Sequence, residues 1–437
     1  MLNTLKAAWG RNRRVIGNFF ALSVVQFANY LAPLILIPYL TRVLGLSRYG
    51  LVELARAVSV YFLLLTDYGF SFSATREVAI HRDNPERLSE LFSAVMLLKL
   101  LLALLSVVIL SAVVFLVPKL RPDWPMYYLS FASVVGMCLF PLWLFQGLER
   151  MKHIAVLNVG AKVLVIAATI VFVRDPDDYL YVPLLHSAGT LVVGLAGLAI
   201  VLRGFRIPFR VPAGGVLKRE FSNGWHLFVS RIATSLCTTS GVVILGLFAD
   251  TVFVAYYAAG EKIVWAAADG LMNPLSQAIF PHISRLALQS RQAALRFAGR
   301  VAGLLSVVTL SISAGLFLAA PYIARLALDR DSQGGATVIQ ILSLVPFLIG
   351  LNSVFGVQIM VNFGFKRLFA RILVGAGLVN ILLAVLLAAP LKHVGVAMAS
   401  LTTQMVVTAA ICIALWRRGL CGPGASDNGV DNRGADA

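Results

Sequence analysis

The sequence predicts an all-α integral membrane protein with twelve transmembrane helices, arranged as two six-helix lobes around a central cavity. Three observations predict it. Of the 437 residues, 59% are hydrophobic and 13% are charged. The apolar residues run in blocks instead of the 3.6-residue stripes of soluble helices. Val95–Val117, for example, carries a single charge, Lys99, and about 20 apolar residues suffice for a helix to cross hydrocarbon. Ten-residue alternating segments are absent, so helices and not a barrel must satisfy the backbone in lipid.

The spans follow in order. The basic start (Lys6, Arg11, Arg13, Arg14) resembles the n-region of a signal peptide. The apolar run after it is too long and has no small-residue cleavage site, so Val15–Tyr39 reads as a retained first span. Tyr49–Phe72, Leu91–Val117, Met126–Gln146, Ile154–Val173 and Leu180–Leu202 complete one half. Phe221–Ala249, Val252–Ile279, Phe297–Ala319, Ile339–Asn362, Leu368–Ala389 and Val394–Trp416 form the other. The Gly-, Asp- and Asn-rich tail Gly419–Ala437 is expected to be disordered.

Basic residues set the expected orientation. With the N-terminus inside, the inner loops hold Arg76, Arg82, Arg87, Arg150, Lys152, Arg203, Arg206, Arg210 and many more, whereas the outer loops hold few, among them Arg42, Arg48, Lys119 and Arg121. Both termini are then cytoplasmic. The net charge of +17 is thereby spread over short loops facing anionic lipid, which argues against nucleic acid as a partner. Cys138, Cys237, Cys412 and Cys421 are scattered without metal spacing, and the six histidines make no ligand set.

A faint repeat divides the chain. NFFALSVVQ opens at Asn18 and NGWHLFVSR at Asn223, 205 positions later, and the same offset sets Tyr49 beside Val254 and Arg56 opposite Glu261. Two halves with an even number of spans imply lobes related by an axis along the membrane normal. The expected units are 1–207, 208–418 and the cytoplasmic tail 419–437, with the proline- and glycine-bearing basic stretch Arg203–Glu220 as linker.

Charges inside the spans need a partner or water, since a lone Lys, Arg or Asp at a helix centre costs about 2.5–3.5 kcal/mol. Lys99, Lys162 and Arg231 fall roughly 12–17 Å into the third, fifth and seventh spans, near the midplane. Glu53 and Arg56 stand at i,i+3, on one face of the second span, with Asp67 on nearly the same face near its inner end. The eighth span carries Glu261, Lys262 and Asp269. Neutralised pairs that only fix helix register, and an interfacial cap at Asp67, are the structural readings. The functional reading is a water-filled cationic cavity for an anionic cargo, with phosphate on a lipid carrier as the natural candidate. Gln26, Asn29, Thr238, Thr239, Ser240, Asn273 and Gln277 are available for sugars, and Pro33, Pro38 and Pro274 for kinks.

NYLAPLILIPYLTRVLGLSRYG (Asn29–Gly50), DYGFSFSATREVAIHR (Asp67–Arg82) and LFPLWLFQGLERMKHI (Leu139–Ile154) resemble Wzx-type flippases. These form part of the polysaccharide-transporter branch of the multidrug/oligosaccharidyl-lipid/polysaccharide (MOP) superfamily, which includes the MATE exporters. The resemblance is close over the first half and looser over the second. It implies a V-shaped pair of six-helix bundles in the bacterial inner membrane. It also implies transfer of an undecaprenyl-diphosphate-linked oligosaccharide repeat unit, such as an O-antigen unit, from the cytoplasmic to the periplasmic leaflet by alternating access. A polysaccharide polymerase and a chain-length regulator are implied partners; neither catalysis nor a cofactor is implied. Arg56, Lys99, Lys162 and Arg231 map onto the family's cation-lined cavity by location, and Glu53, Asp67, Glu261 and Asp269 are candidates for ion coupling. Two rivals stand beside this reading. A cation-coupled multidrug exporter usually places a carboxylate in the first or seventh span, and here the first has none and the seventh carries Arg231. A membrane glycosyltransferase or polymerase would rest on Asp175-Pro176-Asp177, which fits a turn better.

Overall fold

A single glycine makes the first hairpin. The computed structural model runs one helix, α1, from Leu2 to Asp67, and Gly45 (φ 75°, ψ 165°) reverses it into two arms, 2–44 and 46–67. Without a Cβ, glycine enters this region at little cost. The structure describes the backbone of residues 2–329 and 332–418. Side chains are described in those ranges except at 2–22, 230, 233–234, 236–238, 271, 273–274, 277–278 and 281. The tail, Cys421, and the side chains of Lys6, Arg11, Arg13, Arg14, Cys237, Thr238, Asn273, Pro274 and Gln277 thus lie outside the described residues.

The other helices are α2 (Phe70–Ile80), α3 (Pro85–Leu116), α4 (Trp124–Leu139), α5 (Leu142–Gly147), α6 (Met151–Phe172), α7 (Tyr181–Ala199), α8 (Gly214–Thr238), α9 (Ser240–Phe248), α10 (Thr251–Gln289), α11 (Arg291–Leu328), α12 (Gln333–Leu342), α13 (Val345–Asn352) and α14 (Lys366–Arg417). π-Helical turns follow α7 (Ile200–Gly204) and α13 (Ser353–Val361). Local signals start several helices. Asn84 accepts a hydrogen bond from the Arg87 N–H ahead of Pro85, and Ser290 does the same for Ala293.

Eight helical stretches are long and apolar enough to cross a membrane. Two of them hold two crossings each: α1, and α14, which turns back at Lys392 (φ 50°, ψ −130°). The paths α8–α9 and α10 supply the remaining two of the twelve. Two helices that sequence reading took as continuous are broken. The fourth span ends at Phe140–Pro141 and resumes as α5, and the seventh is interrupted at Thr239.

Within the first lobe α4 and α7 pack backbone to backbone. A Cβ on Gly136 would sit 2.5 Å from the Thr190 carbonyl carbon, and one on Gly194 would sit 2.3 Å from the Gly136 oxygen. Small residues at such crossings are how membrane helices approach closely.

The two ends of the molecule differ. At the end away from the termini, one continuous apolar core joins both lobes: Ile37, Leu40 and Leu54 from α1 pack with Leu245, Val254 and Tyr257 from α9 and α10. Polar contacts seal the same end. Thr41 donates to the Ala327 carbonyl at 2.6 Å, Ser47 and Thr251 hydroxyls lie 2.9 Å apart, and Lys119 donates to the Ala249 carbonyl at 2.7 Å. At the end nearer the termini, each lobe has its own apolar cluster. There α8 bridges them.

Candidate functional site

The second arm of α1 carries the central charges. Residues 46–67 contain no proline, so positions three apart share a face. Arg56 Nε donates to Glu53 Oε2 at 2.9 Å. The other carboxylate oxygen, Oε1, accepts from Lys262 Nζ of α10. The expected intrahelical pair is therefore also a bridge between lobes. Glu53 is buried and Lys262 partly buried, whereas the Arg56 side chain is 50% exposed. Its flanking residues 51–55 and 57–59 are all buried. His186 of the first lobe and Glu261 of the second lie within electrostatic reach of this group, and Lys162 within reach of His186. The guanidinium is thus the exposed member of an ion cluster shared by the two lobes.

On α6, Lys162 donates to Asn29 Oδ1 of the first arm, and Asn29 Nδ2 donates to Gln26 Oε1 at 3.0 Å. Lys162 thus binds a neutral amide, and no carboxylate pairs with it among the described residues. Glu261, next to Lys262, does not pair with it; it accepts from the Tyr257 hydroxyl at 2.9 Å. Arg56, Lys162 and Lys262 thus stand against the two carboxylates Glu53 and Glu261 among these groups.

Nearer the termini, Arg231 of α8 pairs with Asp67 at 2.5 Å, and Ser71 donates to the other Asp67 oxygen at 2.6 Å. The next residue, Tyr68 (φ 46°), is stacked between Phe221 and Phe228 of α8, with ring centroids 4.4 and 4.7 Å away. A Cβ on Gly224 would approach the Tyr68 carbonyl oxygen to 2.7 Å. Arg231 and Asp67 are therefore part of a bridge across the two lobes.

Lys99 lies elsewhere. It is buried inside the first lobe and donates to the Met137 carbonyl at 3.4 Å. In a continuous α4 that oxygen would accept from residue 141, but residue 141 is proline. Lys99 supplies the missing donor. Sequence spacing could not say which side of α3 Lys99 occupies.

Asp269 stands about two turns beyond Lys262 on α10. It borders a cavity of about 240 Å³ within the second lobe, also lined by Trp265, Ser276, Asn352, Ser353, Phe369 and Gln404. Sequence reasoning named Asp269 but not this cavity, whose walls come from four separate segments. It also passed over His186, placing the histidines mostly near span ends. The Glu53–Lys262 bridge left one trace in the sequence: the repeat offset sets Arg56 opposite Glu261, one residue from the true partner.

Comparisons with known proteins agree with this architecture. A family model described as polysaccharide biosynthesis protein matches residues 15–287. A protein of Escherichia coli (strain K12) that carries the name of a candidate O-antigen transporter is 32% identical over 391 residues, 90% of this chain and 94% of that protein. Among solved structures, the lipid II flippase MurJ in an inward closed conformation superposes with a TM-score of 0.70 at 13% identity, over 92% of this chain and 87% of that one. An inward-facing MATE family transporter of the MOP superfamily gives 0.66 at 14% identity, over 90% and 94%. These relatives are named as transporters and flippases, not as catalysts.

Proposed function

Because the chain belongs to the polysaccharide biosynthesis protein family, as a multi-pass membrane transporter, we propose that it flips an undecaprenyl-diphosphate-linked oligosaccharide unit. Movement runs from the cytoplasmic to the periplasmic leaflet, with both termini cytoplasmic. The observation that carries this reading is the half-exposed Arg56 guanidinium where the two lobes meet, with Lys162 as a second cation on α6.

Arg56 and Lys162 hold the diphosphate in this scheme. Guanidinium and ammonium donors bind phosphate oxygens directly, and Glu53 orients Arg56 while tying it to the second lobe. The prenyl chain stays in lipid. An inside-negative potential assists the outward step by about 2.3 kcal/mol per charge per 100 mV. Arg231 acts through the Asp67 bridge that must part for entry from the cytoplasmic side, and Lys99 acts through the integrity of the first lobe. Among the carboxylates considered for ion coupling, Glu53 and Asp67 are held in ion pairs. Glu261, which accepts from the Tyr257 hydroxyl and has no ion pair among the described residues, is assigned that role.

The test is surface polysaccharide in a strain lacking the native gene and carrying R56Q/K162Q. Lipid-linked units are expected to accumulate in the inner leaflet, and surface polymer to fall by an order of magnitude or more. Undiminished polymer from a normally inserted double variant would refute the proposal.

A further inference from the structure

The cavity beside Asp269 is built from residues of a kind that a bare charge site does not need. Lys262, Trp265 and Asp269 follow one another at i, i+3 and i+7 along one face of α10, so the cavity lies on the helix face that also carries the cationic bridge. Trp265 and Phe369 give it aromatic walls, and Ser276, Asn352 and Gln404 give it hydroxyl and amide groups. These polar groups are pre-set. Gln358 Nε2 donates to Ser276 Oγ at 3.0 Å, Thr408 donates to Asn352 Oδ1 at 2.9 Å, and Asn352 Nδ2 donates to Gln404 Oε1 at 3.3 Å. The Gln404 amide nitrogen remains available among the described residues. The π-helix Ser353–Val361 forms one wall, and π-helical turns concentrate at functional sites because they shift backbone and side chains out of regular register. The Asp269 carboxylate, half-buried, has no cation against it among the described residues.

We infer that this cavity is a sugar-recognition subsite, which takes one pyranose ring of the transported glycan. The inference rests on the lipid-linked oligosaccharide reading above. A pyranose has an apolar C–H face suited to an aromatic wall and a rim of hydroxyls that both donate and accept. Trp265 takes the face. Asp269 accepts from two hydroxyls, and Gln404 and Asn352 take the others. Size favours a ring over a naked ion. One water's share of liquid volume is about 30 Å³, so a monovalent cation would leave most of the 240 Å³ empty. The diphosphate would then sit at Arg56 and Lys162, with the glycan reaching along α10 into the second lobe.

Isothermal titration calorimetry on the full-length detergent-purified protein tests this with three probes: a panel of methyl pyranosides, sodium chloride and farnesyl diphosphate. At least one glycoside is expected to bind in the millimolar range. D269N and W265A are expected to weaken it about tenfold, the loss of one charge-assisted hydrogen bond or one aromatic wall, and W265F to restore most of it. Farnesyl diphosphate should bind these variants like the parent, which also shows that they are folded, and should bind R56Q more weakly. No glycoside binding, or binding untouched by D269N and W265A, overturns the inference. So does a saturable sodium signal lost in D269N without any sugar signal, which would mark an ion site. Glycoside binding alongside a failure of farnesyl diphosphate to bind the parent would uphold the subsite and defeat the lipid-diphosphate reading instead.

Discussion

At the scale of residues, charge in this molecule is placed by what surrounds it, and two side chains show how differently. Lys99 answers a carbonyl that Pro141 leaves without its helical donor. K99M is expected to lower stability by about 1–3 kcal/mol, the penalty for an unpaired buried acceptor. In a P141A background that cost should shrink by about 1 kcal/mol or more, because the helix then supplies its own N–H. Thermal unfolding of the four proteins in detergent gives the cycle; equal costs in both backgrounds would refute the pairing. Glu53 is the converse. It holds two cations from two lobes, so E53Q leaves them facing one another. A loss of about 3 kcal/mol is expected, at the low end for a broken buried pair because Arg56 keeps water on one side. E53Q/K262Q should recover part of it in the same measurement.

At the scale of elements, close helix contacts decide which end can shut. Gly50 meets Thr251 so tightly that a Cβ would lie 1.8 Å from the threonine oxygen. Gly224 meets Tyr68 in a comparable way at the other end. G50V is expected to hold the end away from the termini apart and G224V to hold the other end apart. Single cysteines in the hollow should then react with a membrane-impermeant thiol reagent from opposite sides in the two variants. Labelling from the same side in both would contradict this. The α14 turn is a different case. Lys392 occupies a left-handed backbone region that suits glycine, and its ammonium lies 4.3 Å from the Phe253 ring centroid. The cation–π contact, about 0.5–1 kcal/mol at such sites, offsets part of the backbone cost.

At the scale of the whole molecule, the twelve crossings and the two-lobe plan were legible in the sequence because long apolar runs and loop charge are one-dimensional properties. The Glu53–Arg56 pair was legible for the same reason, since i,i+3 spacing needs only a helix. The partners of Lys99, Arg231 and Lys262 were not, because they depend on which way each helix is rotated and on contacts 38, 164 and 209 positions apart. The Asp269 cavity needed α10, α13, the π-helix and α14 in place before it existed at all. One feature carries a mechanical corollary. Both acidic anchors to the second lobe, Glu53 and Asp67, ride on the same proline-free arm, fourteen residues or about 21 Å apart. A straight rod pinned near each end works as a seesaw: a tilt that pulls one anchor off its base presses the other home. The arm itself could thus keep the two exits from opening together, without any relay through the rest of the protein.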